Sequence, residues 1–313
     1  MNKILYNTLR LLRPRQWIKN FAVFAAILFA GKLFEINPLS NVISAFFIFC
    51  TLSSSVYIIN DIFDREKDRM HPFKKFRPLA HDDVPLVFAI IVTILLILIS
   101  FIWGSTINST FMLSIFIYLL LQILYSALLK HIAIIDILAL ASGYIIRVYA
   151  GEFASGLHIS VWLLLTTISL SLFLAIGKRR SELTLASRYS DLQISKMRKS
   201  LSRYSEPLLN VYASIFATST FISYSLFTFL ESQGRFKASL EVLMPEFLPE
   251  IFQKKWLMIT ILPVVYGIMR YLQDIYEKNE GESPEKVLLS DIPLIITIFI
   301  WFFLVILSLY VIG

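Results

Sequence analysis

Long apolar stretches alternate with short polar ones along the chain, and the spacing is that of membrane spans. Nine apolar runs of roughly 20 residues lie at about 18–34, 42–62, 84–103, 106–128, 133–153, 159–177, 207–230, 256–274 and 292–312. A helix of that length crosses a hydrocarbon layer about 30 Å thick. The pattern predicts an all-α polytopic membrane protein with nine transmembrane helices, built as a single membrane-embedded domain over 1–313. Ahead of the first run, residues 1–16 set Ile4, Leu5, Leu9 and Leu12 opposite basic residues, which predicts a helix lying in the interface. The loops 61–83 and 178–206 are long and charged, and they follow the second and sixth runs. The chain therefore reads as two halves of similar hydropathy. A third charged connection, 275–291, contains the solvated turn "EKNEGESPEK", and 231–255 is a mixed segment interrupted by Pro245 and Pro249.

Composition sharpens this picture. Hydrophobic residues make up 57% and charged residues 16%, with a mean hydropathy of +0.71, which excludes an ordinary soluble domain. The basic stretch "LRLLRPRQWIKN" is not followed by a cleavage pattern, so no signal peptide is expected. Net charge is +7, and 23 of the 29 Lys and Arg fall on one side if the N-terminus is cytoplasmic. Only five then fall outside. The imbalance predicts N-terminus in and C-terminus out in a cell (plasma) membrane. Basic loops of a membrane protein need no nucleic acid to explain them. The lone Cys50 sits in an apolar run and reads as a small core residue.

Candidate chemistry begins at "NDIFDREKDRMHPFKKFRP", residues 60–78. Asp61, Asp64 and Asp68 stand at i, i+3 and i+7, within an arc of about 60° on one helical face. The helix is expected to stop near Met70, because Pro72 biases His71 away from helical geometry. Carboxylates about 6 Å apart repel by about 3 kcal/mol per pair at an effective dielectric near 20. The cluster needs cations. Neighbouring Arg65, Lys67 and Arg69 could supply a charged cap, or a hard divalent ion such as Mg²⁺ could bind with phosphate oxygens.

The N-D-x-x-D-x-x-x-D pattern at the end of the second of nine helices resembles the UbiA superfamily of intramembrane prenyltransferases. That resemblance implies a helical bundle with cytoplasmic cap loops, in which the motif binds a diphosphate through Mg²⁺. Typical members carry a second acidic motif, D-x-x-x-D, after helix six. Here that place reads "AIGKRRSELTLASR", with Lys178, Arg179, Arg180 and then only Glu182. Cations attract phosphate directly, and Arg does so bidentately. One acidic and one basic face suit more phosphates than a single diphosphate supplies. The segments "LRPRQWIKN", "YSALLK", "DILALASGYIIRVYAG" and "GKRRSEL" make the chain similar to the phosphoribosyl-transferring branch of the superfamily. That branch implies phosphoribosyl pyrophosphate and a polyprenyl phosphate as substrates, and a role in cell-envelope glycolipid synthesis. A homo-oligomer is compatible with it.

On this resemblance Asp61, Asp64 and Asp68 are the catalytic and metal-binding set, and Asn60 contacts substrate or orients Asp64. Lys19 and Asn20 are candidate phosphate contacts, with a snorkelling lysine and a helix cap as the plainer reading. Arg69, His71, Arg77, Tyr125 and Lys130 are further substrate-binding candidates. Asp136 is an acceptor for ribose or a partner for Lys130, and Lys178, Arg179, Arg180 and Glu182 are the second face. Arg147, inside the fifth run, is a functional-site candidate as an intramembrane arginine, with snorkelling outward or pairing with Glu152 as the plainer expectation. Two other functions share these features: an aromatic prenyltransferase using a prenyl diphosphate, and a lipid carrier or transporter.

Overall fold

A computed structural model describes residues 3–70, 74–186, 200–230, 255–276, 287 and 289–312. His71, Arg188, Lys196, and the Pro245 and Pro249 segment lie outside these. Every regular element among the described residues is helical. They are α1 (Lys3–Leu12), a 3-10 helix (Pro14–Phe24) continued by α2 (Ala25–Phe29), α3 (Ile36–Arg69), α4 (Leu86–Gly104), α5 (Ser109–Ala127), α6 (Ile135–Ser155), α7 (Val161–Ala186), α8 (Glu206–Leu230), α9 (Ile261–Tyr276) and α10 (Ile292–Ile306). Among the described residues, eight helical stretches are long and apolar enough to cross a membrane. The first apolar run is not among the eight and is built differently, from the end of an eleven-residue 3-10 helix and the five α residues of α2.

The chain forms two compact units, Met1–His158 with Tyr189–Tyr204, and Ile159–Arg188 with Ser205–Gly313. In the first unit, Phe49, Leu52, Phe111, Ile115 and Tyr118 form the centre of an apolar core with Val23 and Ile27. Gly151 lets α6 touch the 3-10 helix, because a Cβ there would lie 1.8 Å from the Val23 carbonyl oxygen. A second cluster, Leu11, Ile58, Leu79, Val84 and Ala89, seats α1 and the 74–84 loop against α3 and α4. Apolar side chains also cover the outside. Ile90, Ile94, Leu98 and Ile102 make an exposed stripe along α4, a surface suited to lipid and not to water. In the second unit, Tyr224 joins Thr260 at 2.7 Å and accepts from Trp301 Nε1 at 2.8 Å, tying α8 to the flanking helices.

The 34 residues of α3 are about 51 Å long, well beyond the hydrocarbon thickness. Asp61, Asp64 and Asp68 lie within its last nine residues. The helix ends at Arg69, as the Pro72 argument expects.

Candidate active site

Three cations from three separate elements meet the three aspartates. Arg13 Nη2 donates to Asp61 Oδ1 at 2.5 Å, and Arg77 Nη1 donates to the same oxygen at 3.1 Å. Arg77 Nη1 also reaches Asp68 Oδ2 at 2.6 Å. Lys130 Nζ donates to Asp64 Oδ1 at 2.6 Å. Asp61 and Asp68 are buried, and Lys130 is only 3% exposed. Each carboxylate therefore has a cation within hydrogen-bond reach, and Lys74 adds further attraction at Asp68, which offsets the mutual repulsion that the spacing implies.

Neighbouring Arg65 and Arg69 do not supply this balance. Arg65 donates to Asp82 Oδ1 at 2.5 Å and to the Leu79 carbonyl at 3.2 Å. Arg69 grips both oxygens of Asp82, at 2.9 and 2.6 Å, and the Ala80 carbonyl at 3.3 Å. Their job is to latch the 74–84 loop onto α3. That latch is what delivers Arg77 to the aspartates. It also holds the exposed Asp82 carboxyl below its ordinary pKa, chiefly through the hydrogen bonds from Arg65 and Arg69.

Local backbone explains how the other two cations arrive. Arg13 has φ 52 and ψ 60, in the left-handed region, between α1 and the 3-10 helix. Ser54 fixes both flanks of this break, donating to the Leu12 carbonyl at 2.9 Å and accepting from Trp17 Nε1 at 3.0 Å. The Arg13 guanidinium also lies 5.4 Å from the Tyr57 ring centroid. Lys130 sits in a 3-10 turn between α5 and α6. Ser200 Oγ donates to its carbonyl at 2.9 Å, and the N–H of the positive-φ residue Ile134 donates to Tyr204 Oη at 2.6 Å.

Asp136 belongs to this scaffold. It is fully buried and accepts from Tyr204 Oη at 2.6 Å and from Ser200 Oγ at 3.2 Å. The expected ribose acceptor is thus the anchor that positions the Lys130 turn, and Lys130 itself pairs with Asp64. Asn60 is half-buried beside Asp61, and Tyr125 is buried at the end of α5.

Asn20 and Arg147 depart further from expectation. Asn20 is fully buried and donates from Nδ2 to Cys50 Sγ and Ser53 Oγ, each at 3.3 Å. Its Oδ1 accepts from Arg147 Nε at 2.7 Å. Arg147 donates as well to Tyr118 Oη and to the Gly143 carbonyl, both at 2.7 Å, and is 4% exposed. It neither snorkels nor pairs with Glu152, which contacts His158 instead at 3.0 Å. Burial and three neutral acceptors hold its charge inside the first unit. Lys19 stays nearer the surface and donates to Gln16 at 2.7 Å.

In the second unit, Arg179 is buried against Glu182. Arg180 bonds Asn210 at 3.0 Å, Glu206 at 3.3 Å and Thr184, with its guanidinium 5.1 Å from the Tyr276 ring. Lys178 is half-buried beside them. Sequence reasoning missed Arg13 as a site residue, and Ser200 and Tyr204 as supports. The Arg-Pro step, which forces a break after an amphipathic helix, was the available signal for Arg13.

Among the described residues, no three acidic, histidine or cysteine side chains converge as a ready-made metal cage. The donor set nevertheless fits a hard cation that brings its own oxygens. Each aspartate enters its ion pairs through a single oxygen among the described residues. Mg²⁺ is commonly held by one or two carboxylates plus substrate phosphates, with several waters kept.

A polytopic helical bundle with acidic and basic side chains interleaved at one end of a long helix defines the class of an intramembrane protein. The profile of the UbiA prenyltransferase family matches residues 20–303, and the chain belongs to that family. It is an integral membrane transferase. Decaprenyl-phosphate phosphoribosyltransferase of Mycolicibacterium smegmatis is 36% identical over 299 residues, covering 94% of this chain and 89% of the relative. The enzyme of the same name from Corynebacterium glutamicum is 33% identical over 307 residues, covering 97% and 86%. A UbiA homolog from Archaeoglobus fulgidus, solved bound to GPP and Mg²⁺, superposes with a TM-score of 0.67 at 18% identity, covering 97% of this chain and 99% of that one. At that identity the superposition speaks for the fold.

Proposed function

We propose that the protein transfers 5-phosphoribose from phosphoribosyl pyrophosphate to a polyprenyl phosphate of the decaprenyl class, releasing pyrophosphate. The observation that carries this reading is nearly full-length identity of 33–36% to relatives named for that transfer. The cation-laced aspartates of α3 are the chemistry it requires, since the departing group is a polyanion.

Asp61 and Asp64 would hold Mg²⁺, with Asp68 setting the position of Arg77. A divalent cation bound there would neutralise charge on the leaving pyrophosphate. Arg77 and Lys130 bind its oxygens, and both are held in place, by the Asp82 latch and by the Asp136–Tyr204–Ser200 anchor. The basic run Lys178, Arg179 and Arg180 is a further candidate set for binding phosphate, carried by the second unit. The lipid phosphate oxygen attacks ribose C1 in line as the C1–O bond to pyrophosphate breaks, so the product is inverted at C1. A phosphate monoester is already anionic near neutral pH, and the step needs no strong base. Catalysis rests on positioning and on electrostatic stabilisation of departing charge. The whole chain acts as one membrane-embedded catalytic domain with its site facing the cytoplasm.

Purified protein given Mg²⁺, labelled phosphoribosyl pyrophosphate and a set of polyprenyl phosphates should form labelled lipid and pyrophosphate. Asp61→Asn and Asp64→Asn should each abolish this while remaining folded in the membrane. Use of geranyl or farnesyl diphosphate with phosphoribosyl pyrophosphate ignored would overturn the proposal in favour of prenyl transfer. Undiminished activity in excess chelator would remove the metal.

A further inference from the structure

The ion pairs at the C-terminal end of α3 have a consequence for how a ligand enters. Asp61, Asp64 and Asp68 are ion-paired with Arg13, Arg77 and Lys130, and Lys74 acts on Asp68 as well. A bare cation on the remaining carboxylate oxygens would add uncompensated positive charge beside Arg13, Arg77 and Lys130. A bare polyanion drawn to those cations would leave a buried carboxylate uncompensated. Either half-exchange leaves an unpaired charge at a site where Asp61 is 2% and Lys130 3% exposed, which is strongly unfavourable. A ligand carrying both signs at once avoids the penalty.

We infer that the cluster is a counter-ion exchange site, in which Arg13, Arg77 and Lys130 give up their aspartates for pyrophosphate oxygens as the aspartates take the accompanying cation. This rests on the reading that a pyrophosphate group binds at the α3 aspartates, and it adds Arg13 as a substrate-binding residue. Arg13 suits the role. Its side chain is 24% exposed, so its head can swing between partners, while Asp61 at 2% cannot follow. The Ser54 bonds to the Leu12 carbonyl and Trp17 hold its backbone still on both sides, and the Tyr57 ring lies beneath the guanidinium. In the metal-free protein the aspartates act as stand-ins for the phosphate, and they exclude the free anion.

The test uses the purified full chain in detergent and inorganic pyrophosphate, with binding read by isothermal titration calorimetry in chelator. Asp61→Asn releases Arg13 and Arg77, so it should bind metal-free pyrophosphate roughly 10-fold or more tightly than wild type, the range of one charge-assisted contact. Adding Arg13→Gln to Asp61→Asn should cancel much of that gain, and adding Arg13→Lys should keep part of it. If Asp61→Asn fails to fold, Asp64→Asn, which frees Lys130, should show the same gain. No gain in either aspartate variant, or a gain in Asp61→Asn that is untouched by Arg13→Gln, would overturn the exchange. Magnesium-dependent binding of pyrophosphate by wild type, displaced by phosphoribosyl pyrophosphate or by a prenyl diphosphate, reports separately on which donor the site serves. The exchange can thus fail while the transfer reading stands, and the reverse.

Discussion

A single nitrogen of Arg77, Nη1, bridges Asp61 and Asp68, at 3.1 and 2.6 Å, across two turns of α3. The bridge offsets the repulsion between two like charges that share one face of α3. Arg77 belongs to the 74–84 loop, which Arg65 and Arg69 fasten to α3 through Asp82.

Removing that bridge should damage both function and folding. Arg77→Ala leaves two buried carboxylates short of a counter-charge. Charge-assisted bonds contribute about 1.5–3 kcal/mol each, so kcat/KM should fall roughly 10- to 150-fold for the loss of one such contact. Thermal unfolding in detergent should drop as well. Arg77→Lys should recover part of the stability and less of the rate, because an ammonium is a compact point charge and not a planar fork. Wild-type kinetics in Arg77→Ala would remove it from the site.

Arg147 and Glu152 lie five residues apart on α6 and should respond very differently. Arg147→Met strips partners from Asn20 and Tyr118, and an orphaned buried polar group costs about 1–3 kcal/mol. A marked loss of thermal stability is expected. Glu152→Gln breaks only the contact with His158, whose side chain is 97% exposed, and should change the melting temperature little. Equal effects at the two positions would contradict the buried network.

The loop latch should depend on pH in one direction. Asp82 is held below its ordinary value by Arg65 and Arg69. A group depressed in this way contributes stability above its unfolded pKa, near 4, and loses that contribution as pH falls through the lower folded value. Amide hydrogen exchange over 74–84, corrected for intrinsic rate, should stay flat from neutral pH to about 5 and quicken only in stronger acid. Asp82→Asn should quicken it already at neutral pH. An onset of loosening near neutral pH in the wild type would assign the latch to another group.

Orientation can be tested where the structure places both ends of one helix. With Cys50 replaced, Lys75→Cys should react with an impermeant thiol reagent only from the cytoplasmic side. Ser105→Cys, past the far end of α4, should react only from outside. The motive is the skew of 23 loop cations against five. The reverse labelling pattern would invert the topology and move the aspartate site to the other face.

Much of this architecture was legible from the letters because the bilayer imposes a one-dimensional rule. A span needs about 20 apolar residues, and its backbone must be satisfied internally, so hydropathy alone yields helices. Hence the end of α3 at Arg69 followed from the chain. The aspartate triplet itself was legible because i, i+3 and i+7 is a local spacing.

Partnership was not local, and there the tertiary structure decided. Arg65 and Arg69 sit beside the aspartates in the chain, yet they bind Asp82, while Arg13, 48 residues from Asp61, supplies the charge. Helical geometry orients each side chain, but a loop's return path sets which distant charge meets it. Arg147 makes the same point. From sequence its nearest carboxylate was Glu152, but the close approach at Gly151 brings Asn20 within reach and closes a neutral network around it. Hydropathy and helical period act within a segment, whereas ion pairing follows distance in space. The sequence by itself therefore determined the spans and the acidic face of α3, and only the folded chain determined which cations answer it.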